Sequence, residues 1–245
     1  MHLILSSSPC IPAPEGTGLA FIYQRENGFP QRLYAALPRR PRLLLVSADP
    51  EAHTHNDRML QEFGQALAFD GYPPGHSAIL DSRNAVQAHA LAEKADLILL
   101  CGGHVPTQNR FLASIRLRDT FHRFGGTVLG ISAGSMNAAA TVYAQPEETG
   151  ESDPSFPRFL PGLGLTQYQI VPHLQKVRYD VLDGKRLFEE ITFPDSMGQR
   201  FLAIPDGSYV YEDETCHLLC GEGYLIHDGI MIPICQHGQT LPLPI

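Results

Sequence analysis

The chain has 245 residues, of which 43% are hydrophobic and 18% charged, and its formal net charge at pH 7 is -8. This length fits one large domain or two small ones, and this composition supports a sizeable core and excludes an intrinsically disordered chain. The negative charge argues against a general nucleic-acid binder, which needs a cationic surface, so we expect no nucleic-acid partner. No apolar run approaches the roughly 20 residues that cross a bilayer, so we also expect no membrane partner.

The N-terminus, MHLILSSSPC, has a short apolar run with no basic segment before it. A secretory signal normally shows about 7–15 apolar residues after positive charge, so we expect a cytoplasmic protein with reduced cysteines. The odd count of five cysteines also favours free thiols over a disulfide framework. The sequence leaves open whether the chain forms a homo-oligomer.

Short apolar runs bounded by turn residues predict strands that are buried on both faces, as in a parallel sheet. These runs cover residues 43–46, 97–100 and 127–131. Stretches with helical periodicity lie between these runs, at residues 56–69, 85–94 and 111–124. This alternation predicts an α/β fold with a doubly wound, mostly parallel sheet and helices on both faces.

The character of the sequence changes after residue 143. Residues 144–165 are rich in proline, glycine and acidic residues, which is typical either of a solvated surface loop or of a lid over a site. Beyond Phe201 short β-like runs alternate with turns, and Asp228-Gly229 is a strong hairpin signal, so we predict C-terminal β-hairpins. No linker divides the chain, and we expect one domain over residues 1–245.

The most informative segment is Gly-Ile-Ser-Ala-Gly at residues 130–134, between a predicted buried strand and a run compatible with a helix. This is the context of a nucleophile elbow, a tight turn that projects a serine hydroxyl over the carboxyl edge of a sheet. The alternative is an ordinary strand–helix turn with a capping serine. The strand and the helix on either side favour the elbow, with Ser132 as the nucleophile.

A Cys-Gly-Gly-His segment at residues 101–104 follows the strand before the elbow. Because parallel strands bring their carboxyl ends to one edge of a sheet, this segment should lie beside Ser132. Glycines let backbone N–H groups approach a ligand closely, which indicates an oxyanion hole formed by Gly102, Gly103 and the N–H of Ala133. The alternative is a tight turn that binds nothing.

A serine needs a base at neutral pH, and a histidine base needs a carboxylate that orients it. His173 follows a β-like run and a proline that stiffens the chain. Asp206 lies in Ile-Pro-Asp-Gly at the end of another apolar run. Taken alone, His173 fits a surface or core histidine, and Asp206 fits a common Asp-Gly turn.

In order and approximate spacing, these segments resemble the peptidase E family, the serine peptidases that include aspartyl dipeptidase and cyanophycinase. That family is related in fold to class I glutamine amidotransferases. The resemblance covers nearly the whole chain, from residues 1–5 as the first strand to the C-terminal hairpins, and is weak between residues 11 and 40. It implies a flavodoxin-like sheet with Ser132 as nucleophile, His173 as base and Asp206 as the orienting carboxylate.

Two positions depart from aspartyl dipeptidase, which has Asn where this chain has His104 and Glu where it has Asp206. Arg178 matches an arginine downstream of the histidine in that enzyme and could pair with a substrate carboxylate. The alternative for Arg178 is a solvated helical face. His104, Gln108 and Asn109 could also contact the substrate.

Cysteines and histidines are concentrated near the C-terminus, at positions 216, 217, 220, 227, 235 and 237. Their spacing is not that of a zinc knuckle, so we expect no metal site. The sequence also lacks a glycine-lysine phosphate loop, and no cofactor is implied.

The sequence therefore predicts a serine hydrolase that cleaves a small peptide or amide bond, in the manner of a dipeptidase, through an acyl-enzyme. One alternative is an amidase or an amide-transfer relative that uses the same site. Another is a non-catalytic binding or regulatory protein, because a fold does not fix a function.

Overall fold

The computed structural model describes residues 1–244, and its strands are numbered β1 to β18 in chain order. Its largest sheet has eight strands, and five neighbouring ones run parallel in the order β1-β7-β6-β4-β5. These five are β1 (His2–Ser6), β4 (Arg42–Val46), β5 (His76–Leu80), β6 (Leu97–Leu100) and β7 (Thr127–Ile131). The predicted mostly parallel sheet is therefore confirmed.

Antiparallel strands from the C-terminal part of the chain extend this sheet beyond β1. A second sheet has four strands in the order β10-β13-β16-β17, of which β10 and β13 pair in parallel and the others antiparallel. The strands that extend the first sheet are β14 (Tyr209–Glu212), β15 (His217–Cys220) and β18 (Thr240–Pro242). The second sheet comprises β10 (Gln169–Val171), β13 (Arg200–Ala203), β16 (Gly223–His227) and β17 (Ile230–Cys235). Asp228 and Gly229, with φ of 47° and 79°, form the predicted hairpin turn between β16 and β17.

Three further pairs of short strands complete the β-structure. They are β2 (Cys10–Pro12) with β3 (Phe21–Tyr23), β8 (Thr141–Tyr143) with β9 (Phe159–Pro161), and β11 (Val181–Leu182) with β12 (Lys185–Arg186).

The helices are short except for the one that follows β4. They are α1 (Phe29–Tyr34), α2 (His53–Phe69), α3 (Ala88–Lys94), α4 (Val105–Ser114), α5 (Arg118–Phe121), α6 (Ala133–Asn137), α7 (Leu174–Val177) and α8 (Phe193–Asp195). Turns of 3-10 helix cover Glu26–Gly28 and Ala85–Gln87, and a π-helical turn covers Leu187–Thr192. Within residues 1–244, no helix has the length and apolar character needed to cross a bilayer.

Helices cover both faces of the parallel sheet because side chains alternate along each buried strand. In β4, Leu43 and Leu45 pack with α1 and α2, whereas Leu44 and Val46 pack with α3, α4 and α5. The helix that follows β4 and the helix that follows β6 therefore lie on opposite faces. In sheets of this type such a divergence opens a crevice at the carboxyl ends of the two strands.

The helix expected at residues 111–124 differs from the observed structure. Helix α4 begins earlier, at Val105, and accepts Pro106 in its first turn, where the missing proline N–H costs no helical hydrogen bond. It ends at Ser114, and Arg116 then adopts a positive φ of 51° before α5. The segment after Gly103 is therefore the start of this helix.

Candidate active site

Ser132 lies on the turn between β7 and α6 with φ 50° and ψ -113°, a conformation that non-glycine residues rarely adopt. Its backbone N–H donates to the carbonyl oxygens of Ser6, at 2.9 Å, and Ser7, at 3.1 Å. A Cβ atom on Gly134 would lie 2.1 Å from the carbonyl oxygen of Leu100. Only glycine therefore allows α6 to start so close to β6, and the turn has the geometry of a nucleophile elbow.

His173 and Asp206 meet Ser132 at the carboxyl edge of the sheets. His173 Nε2 lies 2.9 Å from Ser132 Oγ, and His173 Nδ1 lies 2.6 Å from Asp206 Oδ1. His173 follows β10 and Asp206 follows β13, and these two strands pair in parallel. Parallel pairing delivers both strand ends to the same edge, which explains why residues distant in sequence converge here.

Ser7, at the end of β1, connects the two partners of this histidine–carboxylate pair. Its Oγ accepts a hydrogen bond from the backbone N–H of His173 at 2.7 Å and donates one to Asp206 Oδ1 at 2.7 Å. Ser7 is fully buried. The sequence analysis missed this residue, although its position directly after the first predicted strand places it at the same sheet edge.

The far oxygen of Asp206 is also held in place. Gln175 Nε2 donates to Asp206 Oδ2 at 2.6 Å, Gln175 Oε1 accepts the backbone N–H of Asp206 at 3.1 Å, and Lys176 Nζ lies 3.2 Å from Oδ2. Burial raises the pKa of Asp206, but hydrogen bonds from His173 and Ser7 outweigh it and hold the pKa below its ordinary value. Asp206 is therefore ionised at neutral pH and accepts hydrogen bonds.

The two glycines after β6 lie against the elbow. A Cβ on Gly102 would lie 3.3 Å from Ser132 Cβ, and one on Gly103 would lie 2.7 Å from Ala48 Cβ. Gly103 also has φ of 155°. Because Gly102 and Gly103 carry no side chains, this part of the chain approaches Ser132 closely. Gly102, Gly103 and Ala133 together border the serine.

His104 lies beside the glycines, and both of its ring nitrogens have partners. Nδ1 is 2.8 Å from Thr107 Oγ1, and Nε2 is 2.8 Å from Glu151 Oε1. Together with Glu148, His104 and Glu151 have potential ligand atoms within 4.8 Å of one another. The direct His104–Glu151 contact ties the glycine segment to the 144–165 segment.

Gln108 and Asn109 lie on α4 and point into the protein. Gln108 is fully buried and donates to the carbonyl oxygen of Cys101 at 2.8 Å, and Asn109 donates to Asn137 Oδ1 at 2.9 Å. These bonds fasten α4 to its neighbours, so this geometry does not bring either amide to the elbow.

Arg178 follows α7, downstream of His173. Its guanidinium lies 5.4 Å from the ring centroid of the exposed Tyr179. Arg178 does not line the cavity that opens beside Ser132 and His173, which we call the cleft. The side chain expected to recognise a substrate carboxylate is therefore placed outside this cleft.

A cavity of about 190 Å³ opens beside Ser132 and His173. Residues from the glycine segment, the 144–165 segment and the chain after His173 form its wall. Apart from His173, the ionisable side chains described in this wall are the carboxylates of Glu147 and Asp180. The cleft therefore presents negative charge to a bound molecule.

The 144–165 segment forms one wall of this cleft and is fastened by hydrogen bonds. Glu147 Oε1 accepts the backbone N–H of Val105 at 3.2 Å, and Glu151 Oε2 accepts the backbone N–H groups of Glu147 and Glu148. Although the Glu147 residue is exposed as a whole, partial desolvation of its carboxyl group raises the pKa, and this effect outweighs the lowering by the hydrogen bond from Val105 and by His104. A cation bound next to Glu147 would relieve this electrostatic cost.

Comparisons with known proteins place the chain in a family. The model of peptidase family S51 matches residues 36–219. A peptidase from an acI-B1 Actinobacterium has a similar structure, with a TM-score of 0.66 and 17% identity, over 99% of this chain and 96% of that one. A Listeria monocytogenes EGD-e protein described as a candidate peptidase E gives a TM-score of 0.57 and 13% identity, over 96% of this chain and 98% of that one.

No curated protein matches the sequence. At such low identities the two structures show a shared fold, and the family model, which spans most of the chain, shows the relationship. The resemblance to the peptidase E family is thereby confirmed, and the chain belongs to peptidase family S51.

Proposed function

We propose that this protein is a serine peptidase that hydrolyses small peptides, with Ser132 as nucleophile, His173 as general base and Asp206 as the carboxylate that orients it. The observation that carries the proposal is the 2.9 Å separation of His173 Nε2 and Ser132 Oγ at an elbow that opens onto a cleft. A serine within hydrogen-bond reach of an oriented base is the arrangement that activates it. Membership of peptidase family S51 supports peptide hydrolysis.

In this reaction Ser132 Oγ attacks the scissile carbonyl carbon while His173 Nε2 accepts the hydroxyl proton. Asp206 stabilises the imidazolium that forms, and its bond to Nδ1 keeps the ring oriented. The backbone N–H groups of Gly103 and Ala133 would bind the oxyanion, with Gly102 allowing the close approach. His173 then protonates the leaving amine, and water hydrolyses the acyl-enzyme.

The charge of the cleft supports substrates with a free amino terminus. The α-ammonium group of a dipeptide is attached to the carbon next to the scissile carbonyl. Glu147 accepts a hydrogen bond from Val105, two residues after Gly103, so its carboxylate stands close to the proposed oxyanion site. We therefore assign Glu147 to the ammonium group, in place of the acidic-residue selection by Arg178 that the sequence suggested.

Hydrolysis of Ala-Leu, Asp-Leu and N-acetyl-Ala-Leu, followed by mass spectrometry, tests this function. Wild type should cleave the free dipeptides faster than the acetylated one, and Ser132→Ala should lose at least about 10³-fold in rate. Ser114→Ala is the control, because its hydroxyl bonds only to Phe111 on α4. Equal rates for Ser132→Ala and wild type would contradict the proposal, and cleavage of alaninamide without dipeptide cleavage would favour the amidase alternative.

A further inference from the structure

A second and larger cavity lies on the other side of the glycine segment. It has a volume of about 540 Å³, and Gly103 lines both this cavity and the cleft beside Ser132. Gly102, which packs against Ser132, also lines the second cavity. We call it the α2 crevice, because residues of α2 from His55 to Phe63 form one of its sides.

The position of the α2 crevice follows from the order of the strands. Its walls include Ala48 and Asp49 after β4, and Cys101 and Gly102 after β6. These neighbouring strands lead into helices on opposite faces of the sheet, since α2 packs in one core cluster and α4 in the other. Ligands of open α/β sheets bind in the crevice that such a divergence leaves.

The walls of the α2 crevice are mostly apolar. Phe21, Met59, Phe63 and Ile131 contribute side chains, and the rings of Phe21 and Phe63 meet edge to face at 4.9 Å between centroids. The free thiols of Cys10 and Cys101 also line it. Burial raises the pKa of both thiols, so they stay neutral and behave as small apolar groups.

Polar atoms of Asn56 and Asp49 in this wall already have protein partners. Asn56 Oδ1 accepts a bond from Ser47 Oγ at 2.9 Å, and Asn56 Nδ2 donates to the carbonyl oxygen of Asp49 at 3.0 Å. Asp49 Oδ1 accepts the backbone N–H of Glu51 at 3.1 Å. An apolar group could therefore enter the crevice without leaving these polar atoms unpaired.

We propose that the α2 crevice is the subsite for the side chain of the leaving residue of a dipeptide, and that it selects apolar side chains. This inference rests on the proposed function, because it takes Ser132 as the point of cleavage. The acidic cleft holds the ammonium group of the first residue, so the second residue lies across Gly103, where the crevice begins. Burial of a leucine or phenylalanine side chain there favours such substrates by about 10–100-fold in kcat/KM over glycine.

The first test compares Ala-Leu and Ala-Phe with Ala-Gly and Ala-Asp as substrates of the wild-type protein. We expect kcat/KM to be about 10–100-fold higher for the two apolar leaving residues. Equal or reversed values would overturn the inference when at least one of the four dipeptides is cleaved. If none is cleaved, or if Ser132 does not react with a fluorophosphonate probe, the failure belongs to the proposed function instead.

The second test fills the crevice. Met59→Trp should lower kcat/KM for Ala-Leu and Ala-Phe relative to that for Ala-Gly, until the three values are similar. Gln61→Trp, an exposed position on the same helix, is the matched control and should keep the preference. If Met59→Trp does not fold, Met59→Ala provides a second test. The enlarged crevice should then raise kcat/KM for Ala-Phe relative to that for Ala-Leu. An unchanged ratio in the folded variant would overturn the assignment.

Discussion

The hydroxyl of Ser7 lies 2.7 Å from Oδ1 of Asp206, a residue 199 positions later in the chain. The same hydroxyl accepts the backbone N–H of His173. A buried serine at the end of the first strand thus fixes both the carboxylate and the backbone that carries the imidazole. The geometry of the proposed triad depends on this contact between the parallel sheet and the second sheet.

Replacing Ser7 with alanine should lower kcat by about 10–100-fold with little change in KM. The substitution leaves the His173 N–H without its partner and removes one hydrogen bond from Asp206. Steady-state kinetics with Ala-Leu measures the effect. Ser6→Ala is the control, because Ser6 Oγ is buried with no partner in the described structure. A kcat for Ser7→Ala equal to that of the control would contradict the positioning role.

The depressed pKa of Asp206 predicts a pH dependence of stability. A carboxyl group whose folded-state pKa lies below its unfolded value of about 3.9 stabilises the fold above that value. This stability is lost as the pH falls through the folded-state pKa. Wild type should therefore lose more free energy of unfolding than Asp206→Asn between about pH 5 and pH 2. Urea unfolding at several pH values measures both proteins, and parallel losses would argue against the hydrogen-bonded, ionised Asp206.

Gly134→Ala should destabilise the protein by about 1–3 kcal/mol and misplace Ser132. The added Cβ would lie 2.1 Å from the carbonyl oxygen of Leu100, so α6 or β6 must move. Gly125→Ala is the matched control, since the described structure has nothing within 4 Å of its added Cβ. Urea unfolding compares the two variants, and equal stabilities would show that the elbow does not require a glycine here.

Glu147→Gln should raise KM for Ala-Leu by about 10–100-fold and leave kcat nearly unchanged. The amide can still accept the Val105 N–H but no longer carries the charge that pairs with the substrate ammonium group.

Arg178→Ala should leave the ratio of Asp-Leu to Ala-Leu turnover unchanged, because Arg178 does not line the cleft. A lower ratio of Asp-Leu to Ala-Leu turnover in Arg178→Ala would show that this arginine does determine the preference for acidic residues.

Much of this arrangement could be predicted because it depends on local signals. The apolar runs of β4, β6 and β7 identify parallel strands, and the ends of parallel strands share an edge. Gly130 to Gly134 then marks the elbow, and the resemblance to the peptidase E family selects His173 and Asp206. The structure brings these three side chains within hydrogen-bond distance.

The contacts that the sequence analysis missed depend on packing between distant segments. Ser7 and Gln175 have no motif of their own, and their partners are known only when the two sheets meet. Glu147 looked like one of several acidic residues in a solvated loop, until the fold placed it against Val105. The early start of α4 at Val105 was not predicted, because Pro106 fits a turn and the first turn of a helix equally well.

Labelling of the protein with a fluorophosphonate probe tests most directly whether Ser132 is an activated nucleophile. Wild type should gain the mass of one probe, and peptide mapping should place it on Ser132. Ser132→Ala should gain none, and Ser7→Ala should react more slowly than wild type. Labelling of Ser132→Ala at the wild-type rate, or modification of a different residue in the wild-type protein, would contradict the account.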